Sequence, residues 1–402
     1  MFQKIFSHIH LQHRHFWRHL KMSEMARIYI SMMLRNLAVA LTGIFVCVYM
    51  LELGYSFLDI CWLMVCYYGI RVLGTDLLAG AATAYIGPKR TMSIGFVVTA
   101  LSSALFAMQP VYHFPVWLLG AIYGSSHSFV FIALHTEFSK IHKKAHEGSQ
   151  LGYLSAIEKL GGVLGPLIGG VLATLFGGQY IFVVGLVLMI LAGIPILRSP
   201  ETVPTKRKLN LRSVKFKSMR RSALVYAISG VEIDRSGIWS IYVAMFVLTS
   251  GTVYMGVSLL HSLSVVAAMV AAVAIGHLVD KKYGRKLLRF GAIAAAILHV
   301  FRLFINRYIP ALALNIGYEV AKTANHIPIS KGFYDDGDID GDGRIAYMVI
   351  MGYIDSTLKC LAWVVLVPVV VLWGDLAGIQ VGFMMGAACA LFTMTEHYKA
   401  LD

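Results

Sequence analysis

The side chains best suited to chemistry in this chain are ionisable groups set inside long apolar runs. Glu232, Asp234 and Arg235 crowd a single turn of one such run, and Trp239 follows one turn later. At helical spacing Glu232 and Arg235 share a face at i, i+3, and Arg235 and Trp239 share one at i, i+4. Glu319, Lys322 and His326 fall on one stripe of another run, beside Asn325; Ser125, Ser126 and His127 form a polar patch on a third, and Arg35 sits in the first. A charge in apolar surroundings is costly unless it is paired or wetted, so these positions have a purpose. A carboxylate beside an arginine in a semi-dry site can handle protons. Protonation releases the arginine for an anion, and deprotonation recaptures it. Glu232 or Asp234 with Arg235 is the expected pair. A second group, Arg71 with Asp76, Glu158 with Lys159, and Asp355 with Lys359, is expected to be structural, the last pair neutralising itself across one turn. There is no nucleotide-binding loop, hydrolytic triad or cysteine metal cluster, so neither an enzyme nor a bound cofactor is expected.

The elements that hold these groups follow from composition. The chain has 402 residues, of which 58% are hydrophobic and 14% charged, with mean hydropathy +0.70. Apolar runs of about 20 residues recur along its whole length, the signature of an all-α membrane protein with many spans. Hydropathy places twelve spans near 26–51, 56–86, 91–109, 114–138, 149–175, 180–197, 222–248, 252–279, 286–306, 309–328, 344–373 and 376–395. Arg35 then lies about ten residues into the first span, ~15 Å deep and near the midplane. The expected organisation is a basic, amphipathic segment at 1–25, six spans over 26–197, a basic linker at 198–221, six more spans over 222–395, and a tail at 396–402. The His-rich start has no small-residue cleavage site, and suits the inner leaflet of a bilayer.

Net charge is +14. The cations gather in alternate loops: Lys89 and Arg90; Lys140, Lys143 and Lys144; Lys281, Lys282, Arg285, Lys286 and Arg289; and the linker. The other loops offer essentially Arg307 alone. Topology rather than nucleic acid explains this excess, and it puts the basic loops and both termini in the cytoplasm of a plasma (inner) membrane. Cys47, Cys61, Cys66, Cys360 and Cys389 all lie in apolar runs, as packing residues do.

The two halves repeat. Gly54 matches Gly251, Gly80 matches Gly276, Gly95 matches Gly291, Phe138 matches Phe333, and Gly148 matches Gly343, each at a separation of roughly 195–197 residues. One repeated landmark is the loop Gly276-His277-Leu278-Val279-Asp280-Lys281-Lys282-Tyr283-Gly284-Arg285-Lys286, where glycines permit a tight turn and Asp280 has Arg285 in reach. It resembles the G-x-x-x-D-(x)-x-x-G-R-K loop signature of the major facilitator superfamily. The first-half copy, Gly80 to Arg90 with Gly87 at its turn, has lost the acid (Ala84) and the first arginine (Pro88), although Asp76 lies one turn earlier. The fifth span carries Gly161, Gly165, Pro166, Gly169 and Gly170, similar to the G-x-x-x-G-P-x-x-G-G motif enriched in drug/proton antiporters of that superfamily. Small residues at this spacing let helices pack closely, and Pro166 bends the helix. The arginine that such antiporters carry in the fourth span, four residues before a glycine, is Gly120 here.

This resemblance implies two pseudo-symmetric six-helix bundles that rock about a midplane site lined by spans one, four, seven and ten. It also implies no ATP hydrolysis, a small-molecule substrate, protons as the coupling ion, a lipid environment and a monomer. Export of a small polar or ionised organic molecule is expected. The rivals are symport or facilitated diffusion of a sugar, organic acid or metal complex, and a transporter-like sensor. Asp338, Asp340 and Asp342 resemble the start of an EF-hand calcium loop, but Val349 stands where the bidentate Glu belongs, so a helix cap is favoured over a calcium site.

Overall fold

The computed structural model describes residues 24–141, 147–197, 199, 201, 205–214, 216–248, 251–279, 283–337, 343–396 and 398, without the side chains of 24–26, 28–29, 138–141, 147–159, 216–218, 235–236 and 277. Asp280, the 338–342 acidic loop with Asp338, Asp340 and Asp342, the basic start of the chain, and the side chains of Arg235, Glu158 and Lys159 therefore lie outside the described residues.

Among the described residues the regular structure is all helical. The N-terminal half gives α1 (Glu24–Gly43), α2 (Phe45–Glu52), α3 (Phe57–Ile70), α4 (Asp76–Ile86), α5 (Pro88–Tyr112), α6 (Val116–Ile141), α7 (Glu147–Phe176) and α8 (Gln179–Leu197). The C-terminal half gives α9 (Phe216–Phe246), α10 (Val253–Leu278), α11 (Gly284–Phe301), α12 (Tyr308–Asp336) and α13 (Gly343–Phe392). Eight helices among the described residues are long and apolar enough to cross a membrane. Charged α9 and α12 are not among them, and they are two of the helices that position the site.

Local chemistry sets the boundaries. Ser56 caps α3: its hydroxyl accepts the Asp59 N–H at 3.2 Å, and the Asp59 carboxylate accepts the Ser56 N–H at 2.8 Å. Pro88 opens α5, where a missing N–H costs nothing. The sequence repeat is legible in the backbone. Gly54 and Gly251 turn the chain at φ +87° and +92°, and Gly177 and Gly374 do so at +104° and +84°, a region that other residues enter only with strain.

Two expected boundaries differ. The 56–86 span is interrupted by a π turn over Arg71–Thr75, with Gly74 at φ 148°. The last two expected spans, 344–373 and 376–395, are the two helical arms of α13, which reverses direction at the non-helical Gly374, φ 84°. Beyond it Gly378 faces Val370 and Gly382 approaches Leu366, as in a hairpin. Finally, α12 continues past the expected end at 328 to Asp336, since Ile329 and Phe333 still have a core to fill.

Neighbours recur across the halves. α1 packs on α7 as α9 packs on α13; α5 packs on α6 as α11 packs on α12; α3 packs on α6 as α10 packs on α12. The halves meet where α3 and α4 lie along α13 and where α7 lies along α10.

Candidate functional site

Glu232 is buried on α9. Its Oε1 accepts the Tyr318 hydroxyl at 2.6 Å and faces His299 Nε2 at 3.1 Å. The other imidazole nitrogen, Nδ1, meets Arg302 Nη1 at 3.1 Å. A guanidinium can only donate, so Nδ1 accepts, and the ring proton must sit on Nε2 and point at Glu232. Arg302 is closed to solvent, with its charge held over the rings of Tyr318 at 4.2 Å, Trp239 at 5.2 Å and Phe383 at 5.8 Å. Gly386 on α13 leaves room for the His299 ring. His299, Arg302 and Tyr318 were missed in the sequence, although the rule that exposed Glu232 applies equally to a histidine and an arginine in an apolar run.

A second polar group crosses between the halves. Asp234 Oδ1 accepts the Tyr68 hydroxyl at 2.6 Å, and Oδ2 accepts the Trp363 indole N–H at 2.8 Å. Arg71 and Asp76 pair at 3.5 Å, and Ser356 of α13 donates to Asp76 at 3.0 Å. Lys359 and Asp355 pair at 2.8 Å, the self-neutralisation expected of residues one turn apart. Arg71 and Lys359 stand 5.9 and 5.8 Å from the Tyr68 ring centre.

The remaining site candidates divide. Arg35 is half-buried and donates to Asn36 Oδ1 at 2.9 Å. Glu319 and Lys322 form an ion pair, and His326 bonds Ser330 at 2.9 Å. Trp239 belongs with Arg302, stacked on Tyr242 at 5.4 Å. Asn325 points elsewhere, donating to the Leu288 carbonyl at 3.2 Å and to Thr393 at 2.8 Å. His127 contacts the rings of Tyr67 and Phe131 and has no hydrogen-bond partner among the described residues.

The fifth-span motif joins the halves. Gly161, Gly165 and Gly169 face Asn36, Ala40 and Phe45 of the N-terminal half, while Gly162 and Gly170 face Val265 and Ser258 of α10. Ser258 donates to the Pro166 carbonyl at 2.7 Å, and Ser262 to that of Val163 at 2.9 Å. Gly120 has no space for a side chain: a Cβ there would lie 2.9 Å from Cys66 Cβ.

The repeated loops are each completed by a distant glutamate. In the first, Glu201 of the linker accepts the N–H of Lys89 at 3.2 Å and of Arg90 at 2.8 Å, against the turn at Gly87. The linker then crosses the same loop, with Lys206 N–H on the Tyr85 carbonyl and Arg207 N–H on that of Ala84. Behind it Lys89 and Glu137 pair at 3.5 Å, both buried. In the second loop Arg285 pairs with Glu396 at 2.8 Å, and Gly284 is buried at the helix start. Tyr398 seals this end, its hydroxyl on the Ser222 carbonyl at 3.0 Å; burial beside Asp336 and Glu396 pushes its phenol well above the usual range. Gly80 approaches Val349 across the halves, whereas no described residue comes within 4 Å of a Cβ at Gly276.

At this same end Tyr334 of α12 hydrogen-bonds His135 of α6 at 2.9 Å. At the opposite end Tyr254 of α10 donates to Glu52.

The profile of the Major Facilitator Superfamily matches residues 28–321. No curated protein sequence matches. Among solved structures, the human organic anion transporter MFSD10 (TETRAN) is similar at TM-score 0.68 and 13% identity, over 92% of this chain and 98% of that one. The nucleoside transporter NupG is similar at TM-score 0.66 and 12% identity, over 93% and 98%. Identities this low speak for the fold alone. The profile covers most of the chain, and with it the repeated loops and the joining helix find their place: the chain belongs to the major facilitator superfamily.

Proposed function

We propose that the protein is a proton-coupled secondary transporter that exports a small organic molecule by alternating access. The observation that carries this reading is the buried Glu232–His299–Arg302 chain between α9 and α11. Glu232 Oε1 is loaded by two donors, while Oε2 receives none of the hydrogen bonds, so a proton adds at Oε2. Neutral Glu232 no longer balances Arg302, whose ring cage keeps the cation in place. The carrier returns empty with Glu232 protonated and exports its load with Glu232 charged. His299 and Arg302 join Glu232 in this role; the side chain of Arg235, the partner expected from spacing, lies outside the described residues.

Residues 26–197 and 222–395 form the two six-helix bundles, and the recurring helix contacts support that division. The basic loops support a cytoplasmic linker and cytoplasmic termini in the plasma (inner) membrane. The chain acts as a monomer, with its Asp280–Arg285 loop and Glu396 latching the cytoplasmic side.

The test is solute transport driven by a pH gradient in inverted and right-side-out vesicles, with a panel of small organic solutes. Glu232→Gln should abolish the gradient-driven part. Solute-driven proton flux that persists in both Glu232→Gln and Asp234→Asn proteins rejects the proton role. The glycine at 120 favours, as second reading, proton-coupled uptake, which the same vesicles distinguish by the sign of the gradient response.

A further inference from the structure

Four rings lie on one stripe of α6 at intervals of four residues: Tyr123, His127, Phe131 and His135. His127 and Phe131 stack at 5.7 Å and 18°, and Phe131 meets His135 at 4.3 Å. Tyr67 of α3 extends the wall, 4.8 Å from Tyr123 and 6.3 Å from His127. A core stripe would be shut. Instead all four α6 rings keep accessible surface, while Ser126, Ser128, Val130, Ile132 and Ala133 of the same helix are closed. The stripe faces the other half of the molecule, with Gly352 of α13 at Phe131 and Tyr334 of α12 at His135.

Cations from several elements reach this wall. The groups that act most strongly on His127 are Arg71, Arg35, Lys359 and His135, brought by the π turn, α1, α13 and α6 itself. Acids lie beside it too, each with partners: Asp76 with Arg71 and Ser356, Asp355 with Lys359, Asp234 with Tyr68 and Trp363. The imidazole of His127, with no partner among the described residues, has a free donor or acceptor for a ligand.

We infer that the α6 wall of Tyr123, His127 and Phe131 is the seat for a flat aromatic organic anion, the ring lying against these side chains and its carboxylate turned toward His127, Arg35 and Arg71. The inference rests on the transporter reading and names the substrate class of its central site. Ring stacking supplies shape selection, since a saturated ring is too thick to lie in a stack. The cations supply the preference for an acid over its neutral amide.

The test is calorimetric titration of the purified full chain with three probes: 2-naphthoate, its ring-saturated counterpart decahydro-2-naphthoate, and neutral 2-naphthamide. The expected result is 2-naphthoate binding at least tenfold tighter than either of the others. Phe131→Leu should erase the preference for the flat acid while leaving the saturated acid within threefold. A saturated acid or an amide that binds the native chain as well as 2-naphthoate overturns the inference, and so does the absence of binding by all three. These comparisons use the native chain, so they decide the matter even if the variant fails to fold. Gradient-driven flux of some other solute would then leave the transporter reading standing, while absence of gradient-driven flux for every solute would remove that reading.

Discussion

Glu201 and Glu396 each bond one of the two similar loops, Glu201 the first and Glu396 the second. Glu201 supplies an acceptor at the start of α5, where Ala84 and Pro88 have replaced the acid and the cation; Glu396 pairs with Arg285 and also accepts the Tyr398 N–H at 2.8 Å. The Glu396 carboxylate is closed to solvent, so removal of its charge takes a buried ion-pair partner from the partly covered Arg285 guanidinium. Glu396→Gln should cost about 1–3 kcal/mol and lower the melting temperature of the detergent-solubilised protein. Arg285→Ala combined with Glu396→Gln should lose less than the sum of the single changes, because the pair acts as one unit. Additive losses would mean that the two side chains contribute separately.

The α7 glycines give a graded series. A Cβ at Gly162 would sit 3.4 Å from Val265, an ordinary contact, whereas at Gly165 it would lie 2.7 Å from both Ala40 Cβ and the Leu41 backbone nitrogen. Backbone cannot step aside as a side-chain tip can. Gly162→Ala should therefore leave the melting temperature within a degree or two, and Gly165→Ala should lower it by an amount corresponding to about 1–3 kcal/mol of overpacking. Equal effects in thermal melts would show that α7 is not pressed on α1 by this motif.

Much of the fold was legible because a bilayer imposes long apolar runs; Gly54 with Gly251 marked turns that the backbone shares. The chemistry was legible only in part. Glu232 announced itself as a charge in an apolar run, but His299 and Tyr318, which bond it, lie on α11 and α12, far along the chain; the side chain of Arg235, which local spacing suggested, lies outside the described residues. Asn325 shows the converse: polarity and stripe position suggested the site, yet its amide ties α12 to Leu288 and Thr393. Glu201 and Glu396 were invisible for the same reason, since contacts between a loop and a distant segment leave no mark in local periodicity.

Among the described residues nothing comes within 4 Å of a Cβ at Gly276. Gly80, its repeat partner, is already pressed against Val349. If the superfamily's rocking motion brings the second site together in turn, Gly276 is used in a state other than this one. Gly276→Ala should then keep or raise thermal stability by up to about 1 kcal/mol, from helix propensity. Solute flux in vesicles should nevertheless fall. Unchanged flux would mean that no state of the cycle needs the gap.

The halves are joined by a tyrosine at each end: Tyr254 to Glu52 at one, Tyr334 to His135 at the other. Each phenol belongs to the C-terminal half and each partner to the N-terminal half, so neither bond survives separation of the halves at its own end. In alternating access only one end opens at a time, and the two bonds therefore stabilise different closures. Removing one hydroxyl as Phe keeps the ring packing, such as that of Tyr254 on Phe45 at 5.6 Å, and deletes only the bond. A lost hydrogen bond of about 1 kcal/mol shifts a two-state population about fivefold. Single cysteines at Ser258, near the Glu52 end, and at Ser356, toward the other, report the opening in a background without the five native thiols. Tyr254→Phe should speed alkylation at 258 and slow it at 356, and Tyr334→Phe should do the reverse. Both variants moving both probes in the same direction would mean that the bonds merely hold the protein together and do not set which side is open.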